Sequence, residues 1–208
     1  SIAKSLAELG TLEYYLGHYD SAIRYMEESL ALTRLRDDQH DLAIALHNSA
    51  EVFRARGDYA ESRRLYQESL ALFDAMESKY GSAFALYGMG EVASESGDAE
   101  QAQRHFLQAA QLFQEMGHSS GIGLILAGLA ALALNARHTE RAARLLGALD
   151  LLVENGEFLQ KPPERRRHDA LLAETRAALG DATFCGIWAE GRNMPLQAVL
   201  DSALQEAR

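Results

Sequence analysis

The sequence has little cysteine, proline or basic charge, and each shortage excludes a class of protein. The single cysteine, Cys185, rules out an internal disulfide and fits a reducing, cytoplasmic compartment. It lies among Phe184, Ile187 and Trp188, which predicts a buried small hydrophobic residue rather than a nucleophile. With three prolines and no low-complexity segment, extensive disorder is not expected. No signal peptide opens the sequence.

The formal net charge is -10, so this segment lacks the basic face that nucleic-acid binders normally carry. Its longest apolar run, Gly121 to Leu134, is too short to span a bilayer. We therefore expect a buried helix there and no direct binding to nucleic acid or membrane. One basic cluster, Arg165 to His168, is flanked by acidic residues and fans around a helix, which predicts a solvated face.

Strong helix formers dominate the composition, and the sequence repeats with a step of about 40 residues. The segment Gly17-His18-Tyr19-Asp20 recurs as Gly57-Asp58-Tyr59-Ala60 and again from Gly97, and a fourth copy begins with Arg137 in place of glycine. Small residues recur with the same step, as expected where two helices cross closely. Large residues also recur with it, as expected where side chains fill the gaps between neighbouring helices. The clearest columns are Ala22, Ser62, Ala102 and Ala142, then Gly10, Ala50, Gly90 and Ala130, and then Met26, Tyr66, Phe106 and Leu146.

Each unit is predicted to be a pair of antiparallel helices. In the second unit, helix A covers Asp38 to Arg56 and helix B covers Tyr59 to Met76. Gly57 provides the left-handed residue that ends helix A, and Asp58 is the expected N-cap of helix B. One hairpin cannot bury its apolar face, so the units must stack.

This pattern resembles the tetratricopeptide repeat (TPR), whose spacing is matched in the first unit. The resemblance covers residues 1 to about 153, and it implies an all-α, right-handed superhelical solenoid. The repeat is longer than the usual unit of about 34 residues, and the additional residues lie around the connection from helix B to the next helix A. The matching residues are Leu9, Gly10, Gly17, Tyr19, Ala22, Met26 and Leu30.

After residue 153 the repeat ends, and residues 154–208 are predicted to form a helical cap on the fourth unit, in one continuous domain with residues 1–153. Helices are expected from Glu164 to Leu179, from a cap at Asp181 to Ala189, and from near Pro195. The apolar fourth helix A needs such a cover, with Trp188 as a buried anchor. The alternative is a homodimer formed through that apolar helix.

The tail carries a second resemblance, to large ATP-dependent LuxR-type transcriptional regulators and related signal-transduction ATPases of bacteria. The matching strings are Arg141 to Ala148, Ala177 to Gly180, Phe184 and Trp188 to Arg192. The resemblance implies that ATPase, kinase or DNA-binding domains flank a TPR array. Neither a P-loop nor a helix-turn-helix pattern occurs within the sequence.

In TPR arrays the concave groove is lined by helix A residues, and this resemblance identifies the candidate binding site. His47, Glu51 and Arg54 share one helix face through their spacing of four and three residues. Aromatic and arginine side chains beside acceptors are typical of recognition surfaces, whereas a solvated, self-paired Glu51–Arg54 face is the alternative. The predicted ligand- or partner-binding residues are Tyr14, His47, Asn48, Glu51, Arg54, Tyr87 and Glu91.

The sequence therefore predicts a non-enzymatic binding module with no catalytic residues, no metal site and no cofactor. Its expected partner is a protein, a peptide or a small-molecule effector held in the concave groove. The favoured context is the sensor or scaffold segment of a bacterial transcriptional or signalling regulator. A stand-alone peptide receptor and an oligomerisation scaffold are the alternatives.

Overall fold

Every regular element in residues 2–205, the part of the chain that the computed structural model describes, is an α-helix. The predicted all-α fold class is thus confirmed. Ser1 of the predicted repeat array and residues 206–208 of the predicted cap lie outside the described residues. The helices are α1 (Ile2–Tyr15), α2 (Tyr19–Arg34), α3 (Gln39–Arg56), α4 (Tyr59–Ala75), α5 (Lys79–Glu95), α6 (Ala99–Glu115), α7 (Ser119–Asn135), α8 (Thr139–Glu154), α9 (Pro162–Leu179), α10 (Asp181–Asn193) and α11 (Leu196–Gln205).

The chain divides into two compact units at a point inside α6. Unit 1 is Ser1–Leu112 and unit 2 is Phe113–Arg208. This division differs from the sequence-based one, which places a boundary between repeats and cap at residue 153. One continuous domain made of repeats and cap stays a prediction.

Left-handed residues end the A helices, as the repeat requires. Gly17, Gly57 and Gly97 have φ angles of 80°, 92° and 87°, where a side chain is disfavoured. Arg137, the residue that replaces glycine in the fourth copy, keeps the same geometry with a φ of 63°. An L-residue in this conformation costs roughly 1–2 kcal/mol. The fourth copy has therefore kept its turn without the residue that favours it.

The two helices of the second repeat begin with different N-cap interactions. Asp38 is the N-cap of α3, where its side chain accepts a hydrogen bond of 2.9 Å from the Asp41 backbone N–H. Asp58 occupies the N-cap position of α4 but makes no capping hydrogen bond. Its carboxylate pairs instead with the Arg56 guanidinium. Asp58 is thus the N-cap residue of α4, as predicted, but its carboxylate pairs with a charged group two residues away instead of accepting a capping hydrogen bond.

Small residues allow close helix contacts inside unit 1. Ala22 and Ser62, one repeat apart, are both fully buried, and the Ser62 hydroxyl donates to the Ala50 carbonyl at 2.8 Å. A Cβ atom added to Gly90 would lie 2.5 Å from the Phe106 ring. These contacts agree with the predicted columns of small residues at the crossings and large residues between them.

In unit 2 the C-terminal helices pack on α8. A Cβ atom on Gly147 of α8 would lie 2.1 Å from the Trp188 carbonyl oxygen, and one on Gly191 of α10 would lie 2.0 Å from the Arg144 carbonyl oxygen. Two backbones thus meet with no room for a side chain between them. The helix α10 continues beyond its predicted end at Ala189 to Asn193, and Gly191 lies where α10 crosses α8. Its N-cap is Gly180, and Asp181 is its first residue.

Two predictions about side chains of the tail are wrong in part or whole. Trp188 is only half-buried, whereas Phe184 and Ile187 are buried against Ala143. Cys185 is exposed, contrary to the predicted burial. The apolar helix α7 does bury most of its length, and Phe158, in the loop between α8 and α9, covers Gly123. Among the described helices none combines the length and apolar character needed to cross a bilayer.

Candidate functional site

A network of ion pairs surrounds Arg54 in unit 1. Its guanidinium lies 3.4 Å from Glu51 on the same helix, 3.9 Å from Glu91 and 2.5 Å from Glu95. Glu91 and Glu95 belong to α5, the helix A of the next repeat, so the network joins two consecutive A helices. We call Arg54 and these three carboxylates, together with the nearby Tyr66 and His47, the Arg54 cluster.

The cluster is largely shielded from solvent. The side chains of Arg54, Glu51 and Glu91 are 15%, 29% and 3% exposed, whereas that of Glu95 is 37% exposed. The alternative of a fully solvated, self-paired Glu51–Arg54 face therefore does not describe the fold, although the two residues do pair. Glu95 and Glu51 therefore keep solvent-exposed surface, whereas Glu91 is buried and pairs with Arg54.

Tyr66 and His47 complete the cluster from α4 and α3. The Tyr66 hydroxyl donates a hydrogen bond to Glu51, and the His47 ring meets the Tyr66 ring edge-on with centroids 5.3 Å apart. Gly88 of α5 makes room for Tyr66, since a Cβ atom there would lie 2.3 Å from the tyrosine ring. Within residues 2–205, the buried Nδ1 of His47 and Nε of Arg54 have no hydrogen-bond partner.

Burial and neighbouring charges shift the pKa values of Glu51, His47 and Tyr66. Burial raises the pKa of Glu51, but the attraction of Arg54 and the Tyr66 hydrogen bond outweigh it, so the pKa lies below its ordinary value. Burial lowers the pKa of His47, more strongly than Glu51 raises it. Burial and the Glu51 charge raise the pKa of Tyr66 well above its ordinary value. Glu51 is therefore ionised, and His47 and Tyr66 are neutral, near pH 7.

The remaining predicted site residues lie near the cluster to different degrees. The hydroxyl of Tyr14 on α1 interacts electrostatically with Glu51 and Arg54. Its pKa is raised to about 12, chiefly by burial and secondly by the Glu51 charge. The ring of Tyr87 packs on Phe106 with centroids 5.9 Å apart. Asn48 is half-buried on α3 next to His47, and the ion pairs and hydrogen bonds described around Arg54 do not include it. The structure thus brings together His47, Glu51, Arg54 and Glu91, with Tyr14 beside them.

The predicted set of binding residues leaves out two members of the cluster. Tyr66 was assigned to a column of large core residues, and its buried ring does fill that role, but its hydroxyl serves Glu51. Glu95 lies one turn beyond Glu91 on α5 and was not in the predicted set. The signal for Glu95 was present, because residues four apart share a helix face and Glu95 therefore lies on the same side of α5 as Glu91.

Unit 2 contains a second polar cluster that the sequence did not reveal. Asp150 of α8 accepts a hydrogen bond of 2.7 Å from the Trp188 indole, and its carboxylate lies 3.1 Å from His168 Nε2. His168 is buried and also contacts Gln160 at 3.0 Å, which corrects the predicted solvated face at this residue. A groove of about 780 Å³ between α9 and α10 is lined by Asp150, Leu172, Ala173, Arg176, Ala177, Gly180, Asp181, Cys185 and Trp188.

No group of three histidine, cysteine or acidic side chains in residues 2–205 is arranged to hold an ion. The acidic residues near the start of α3 have structural partners, because Asp38 caps the helix and Asp41 pairs with Arg36.

Comparison with known proteins agrees with this fold. A family model described as tetratricopeptide repeat matches residues 1–75. No curated protein matches the sequence. The family model therefore supports a TPR-like fold in the first two repeats.

Several solved structures share the fold at low sequence identity. BtubC (BKLC) from P. vanneervenii is 14% identical with a TM-score of 0.69, over 95% of this chain and 80% of that one. A putative kinesin light chain from Podosopora anserina, described as nearly identical TPR-like repeats, is 17% identical with a TM-score of 0.66, over 96% of each chain. Another structure of these repeats is 14% identical with a TM-score of 0.60, over 99% of this chain and 96% of that one. At these identities the likeness shows the fold alone.

Proposed function

We propose that the chain is a protein- or peptide-binding module whose contact surface includes the accessible part of the Arg54 cluster. The TPR-like fold itself is that of an interaction scaffold, and such repeats are generally non-enzymatic. The observation that carries the proposal is the alignment of polar and aromatic groups on consecutive A helices. Arg54, Glu51 and Glu95 offer donors and acceptors in a poorly solvated setting, where hydrogen bonds to a partner gain strength. Tyr14, Asn48 and Tyr87 extend this surface.

The proposed context is the sensor or scaffold segment of a bacterial cytoplasmic transcriptional or signalling regulator. The strings in the tail that resemble LuxR-type regulators support it. In that context a bound protein, peptide or small effector biases the activity of other domains, and this segment itself does not contact nucleic acid. The complete coding sequence tests this context. A P-loop ATPase on the same polypeptide supports the regulator, and its absence favours a stand-alone peptide receptor.

Site-specific photo-cross-linking tests the binding surface. A benzophenone amino acid replaces Asn48 on α3 or, as the matched control, the exposed Glu28 on α2. We expect one defined partner to cross-link from position 48 in lysate of the source cells and not from position 28. With that partner purified, Asn48→Ala and Tyr87→Ala should each weaken binding about tenfold. Cross-linking from position 28 alone, with unchanged affinity in both alanine variants, would place the binding surface elsewhere.

An oligomerisation scaffold is the second candidate function. Light scattering of the purified chain separates it from the monomeric binding module. A stable dimer whose affinity is unaffected by changes in the Arg54 cluster would favour the scaffold.

A further inference from the structure

An exposed apolar patch lies on two A helices in the interior of unit 1. Ile44 on α3 is 39% exposed and Tyr80 on α5 is 56% exposed, although both helices have further helices before and after them in the sequence. Phe84 is half-buried, lies one repeat after Ile44, and has its ring centroid 4.8 Å from that of Tyr80. We call Ile44, Tyr80 and Phe84 the apolar patch. Neighbouring exposed apolar residues, unlike scattered ones, mark an interaction surface.

The apolar patch shares its helix faces with the Arg54 cluster. Ile44 and Glu51 are seven residues apart on α3, and Phe84 and Glu91 are seven residues apart on α5. Residues at this spacing lie on one face of a helix, two turns apart. At a rise of about 1.5 Å per residue, about 10 Å separates the apolar patch from the Arg54 cluster. The A helices of unit 1 thus present one surface with an apolar end and a charged end.

The charged end carries an excess of negative charge. In the Arg54 cluster one guanidinium faces three carboxylates, and His47 and Tyr66 are neutral near pH 7, so the formal net charge is -2. Unit 1 as a whole holds 10 basic and 18 acidic side chains, a net charge of -8. Because Glu51 and Glu95 keep solvent-exposed surface, a cation can approach the excess charge, and their poor solvation strengthens the attraction.

The hydrogen bonding of the charged end is also incomplete. Within residues 2–205, the buried His47 Nδ1 and Arg54 Nε have no hydrogen-bond partner. Buried polar atoms are normally paired, so two such atoms in one cluster indicate that a further polar group belongs there. The charge excess indicates the sign of that group, which is positive.

We propose that this surface binds a basic peptide segment of a partner protein, with an apolar side chain on the apolar patch and a lysine or arginine at the Arg54 cluster. This inference rests on the proposed binding function and names the chemistry of the partner. A distance of about 10 Å corresponds to about three residues of an extended chain, so the two anchoring side chains are about two to four residues apart. An acidic segment is disfavoured, because it would bring like charge to a poorly solvated site.

Selection from a displayed library of random short peptides, with the purified full chain as bait, tests the partner class. We expect the enriched peptides to carry lysine or arginine about two to four residues from an aromatic or aliphatic residue. Enrichment of acidic or uncharged peptides, or no enrichment at all, would overturn the proposal. If acidic or uncharged peptides are enriched and Asn48→Ala weakens their binding, the proposed binding function holds and only the basic partner is wrong.

A charge-neutralising variant tests the charged end with the tightest-binding enriched peptide, followed by fluorescence anisotropy. Glu95→Gln should weaken binding about fivefold or more and make the affinity less sensitive to salt, since one attracting charge is removed. Glu100→Gln on α6 is the matched control, because Glu100 also pairs with an arginine but belongs to a helix B. It should leave both the affinity and the salt dependence unchanged. An unchanged affinity in Glu95→Gln, or an equal loss in Glu100→Gln, would contradict the charged contact.

A polar substitution tests the apolar end with the same peptide. Tyr80→Ser should weaken binding about fivefold or more and leave the salt dependence as it is, because no charge is lost. Leu35→Ser is the matched control, since Leu35 is 84% exposed and lies just beyond α2, away from the A helices. Equal affinities of the Tyr80→Ser and Leu35→Ser chains would show that the apolar patch does not contact the peptide and would overturn this part of the proposal.

Discussion

Arg54 is the residue on which the candidate site depends most. Three carboxylates from two helices lie within 4 Å of its guanidinium, and only 15% of its side chain is exposed. From the sequence alone, Arg54→Ala is expected to weaken binding with little loss of stability. The structure changes that expectation, because removing the guanidinium leaves Glu51 and Glu91 poorly solvated and without their counter-charge.

We predict that Arg54→Ala lowers the free energy of unfolding by about 3–5 kcal/mol, the cost of breaking one side of a buried ion pair. Arg64→Ala is the matched control, since Arg64 also pairs with two carboxylates but is 51% exposed. Its loss should cost less than about 1 kcal/mol. Urea denaturation followed by circular dichroism measures both values. Equal costs would mean that the Arg54 cluster is as solvated as a surface ion pair.

His47 gives a pH dependence that can be measured separately. Its pKa is lowered in the fold, chiefly by burial, so between the folded value and the ordinary value of 6.5 only the unfolded chain takes up the proton. The corresponding stability is complete above about pH 6.5 and is lost as the pH falls through the folded pKa. Glu51 acts at lower pH, because its depressed pKa gives stability that is lost only below the ordinary value of 4.5.

We therefore predict that His47→Gln flattens the decrease in unfolding free energy between about pH 7 and pH 5. His105→Gln serves as a reference, because burial also lowers the pKa of His105. Each variant should remove its own part of the pH dependence, and the double variant should remove both. A His47→Gln profile parallel to that of the unmodified protein would show that His47 is solvated in the fold.

At the scale of helices, the close contact between α8 and α10 is the most sensitive feature of unit 2. A methyl group on Gly191 would collide with the backbone of α8, where no flexible side chain can move aside. We predict that Gly191→Ala costs about 1–3 kcal/mol through forced separation of the helices. Gly186→Ala on the same helix meets no atom within 4 Å and should stabilise by about 0.5–1 kcal/mol through helix propensity. Thermal melts of the two variants should therefore shift in opposite directions; two shifts of the same sign would contradict the crossing.

The constant period of the sequence was sufficient to predict the helix pairs, their turns and the small residues at crossings. These features depend on local helix propensity and on residues that recur at a fixed spacing, and both can be identified directly in the amino-acid sequence. Even the meeting of Arg54 with Glu91 follows from it, because Glu51 and Glu91 are one repeat apart. The register therefore places equivalent carboxylates on successive A helices.

Features outside the repeat could not be predicted in the same way. The tail has no second copy for comparison, so the pairing of Asp150 with His168 and Trp188 had no signal in the spacing. Exposure of Cys185 depends on which side of α10 faces α8, and the surrounding apolar residues did not decide this. The hydrogen bond of the Tyr66 hydroxyl could not be predicted, because burial of the aromatic ring already accounts for a tyrosine at this place in the repeat.

At the scale of the molecule, the role of the tail as a cap can be tested by truncation. In unit 2, Phe158 covers Gly123 of α7, and the Phe184 and Ile187 side chains cover Ala143 of α8. A chain that ends at Glu157 loses all of these and exposes apolar surface on both helices. We predict that it aggregates or loses a large part of its stability, as measured by light scattering and thermal melting. A soluble, stable and dimeric truncated chain would instead support a homodimer formed through α7.

The continuity of the domain is a separate question, and the single tryptophan allows a direct measurement. Trp188 lies in unit 2, whereas Arg54 lies in unit 1. If both units unfold as one cooperative domain, Arg54→Ala should shift the Trp188 fluorescence transition in urea as far as it shifts the circular dichroism transition. Units that unfold independently would leave the Trp188 transition in place and make the circular dichroism curve biphasic. Because the repeat runs through α6 without interruption, and a stacked array gains its stability from neighbouring units, we expect the two curves to coincide.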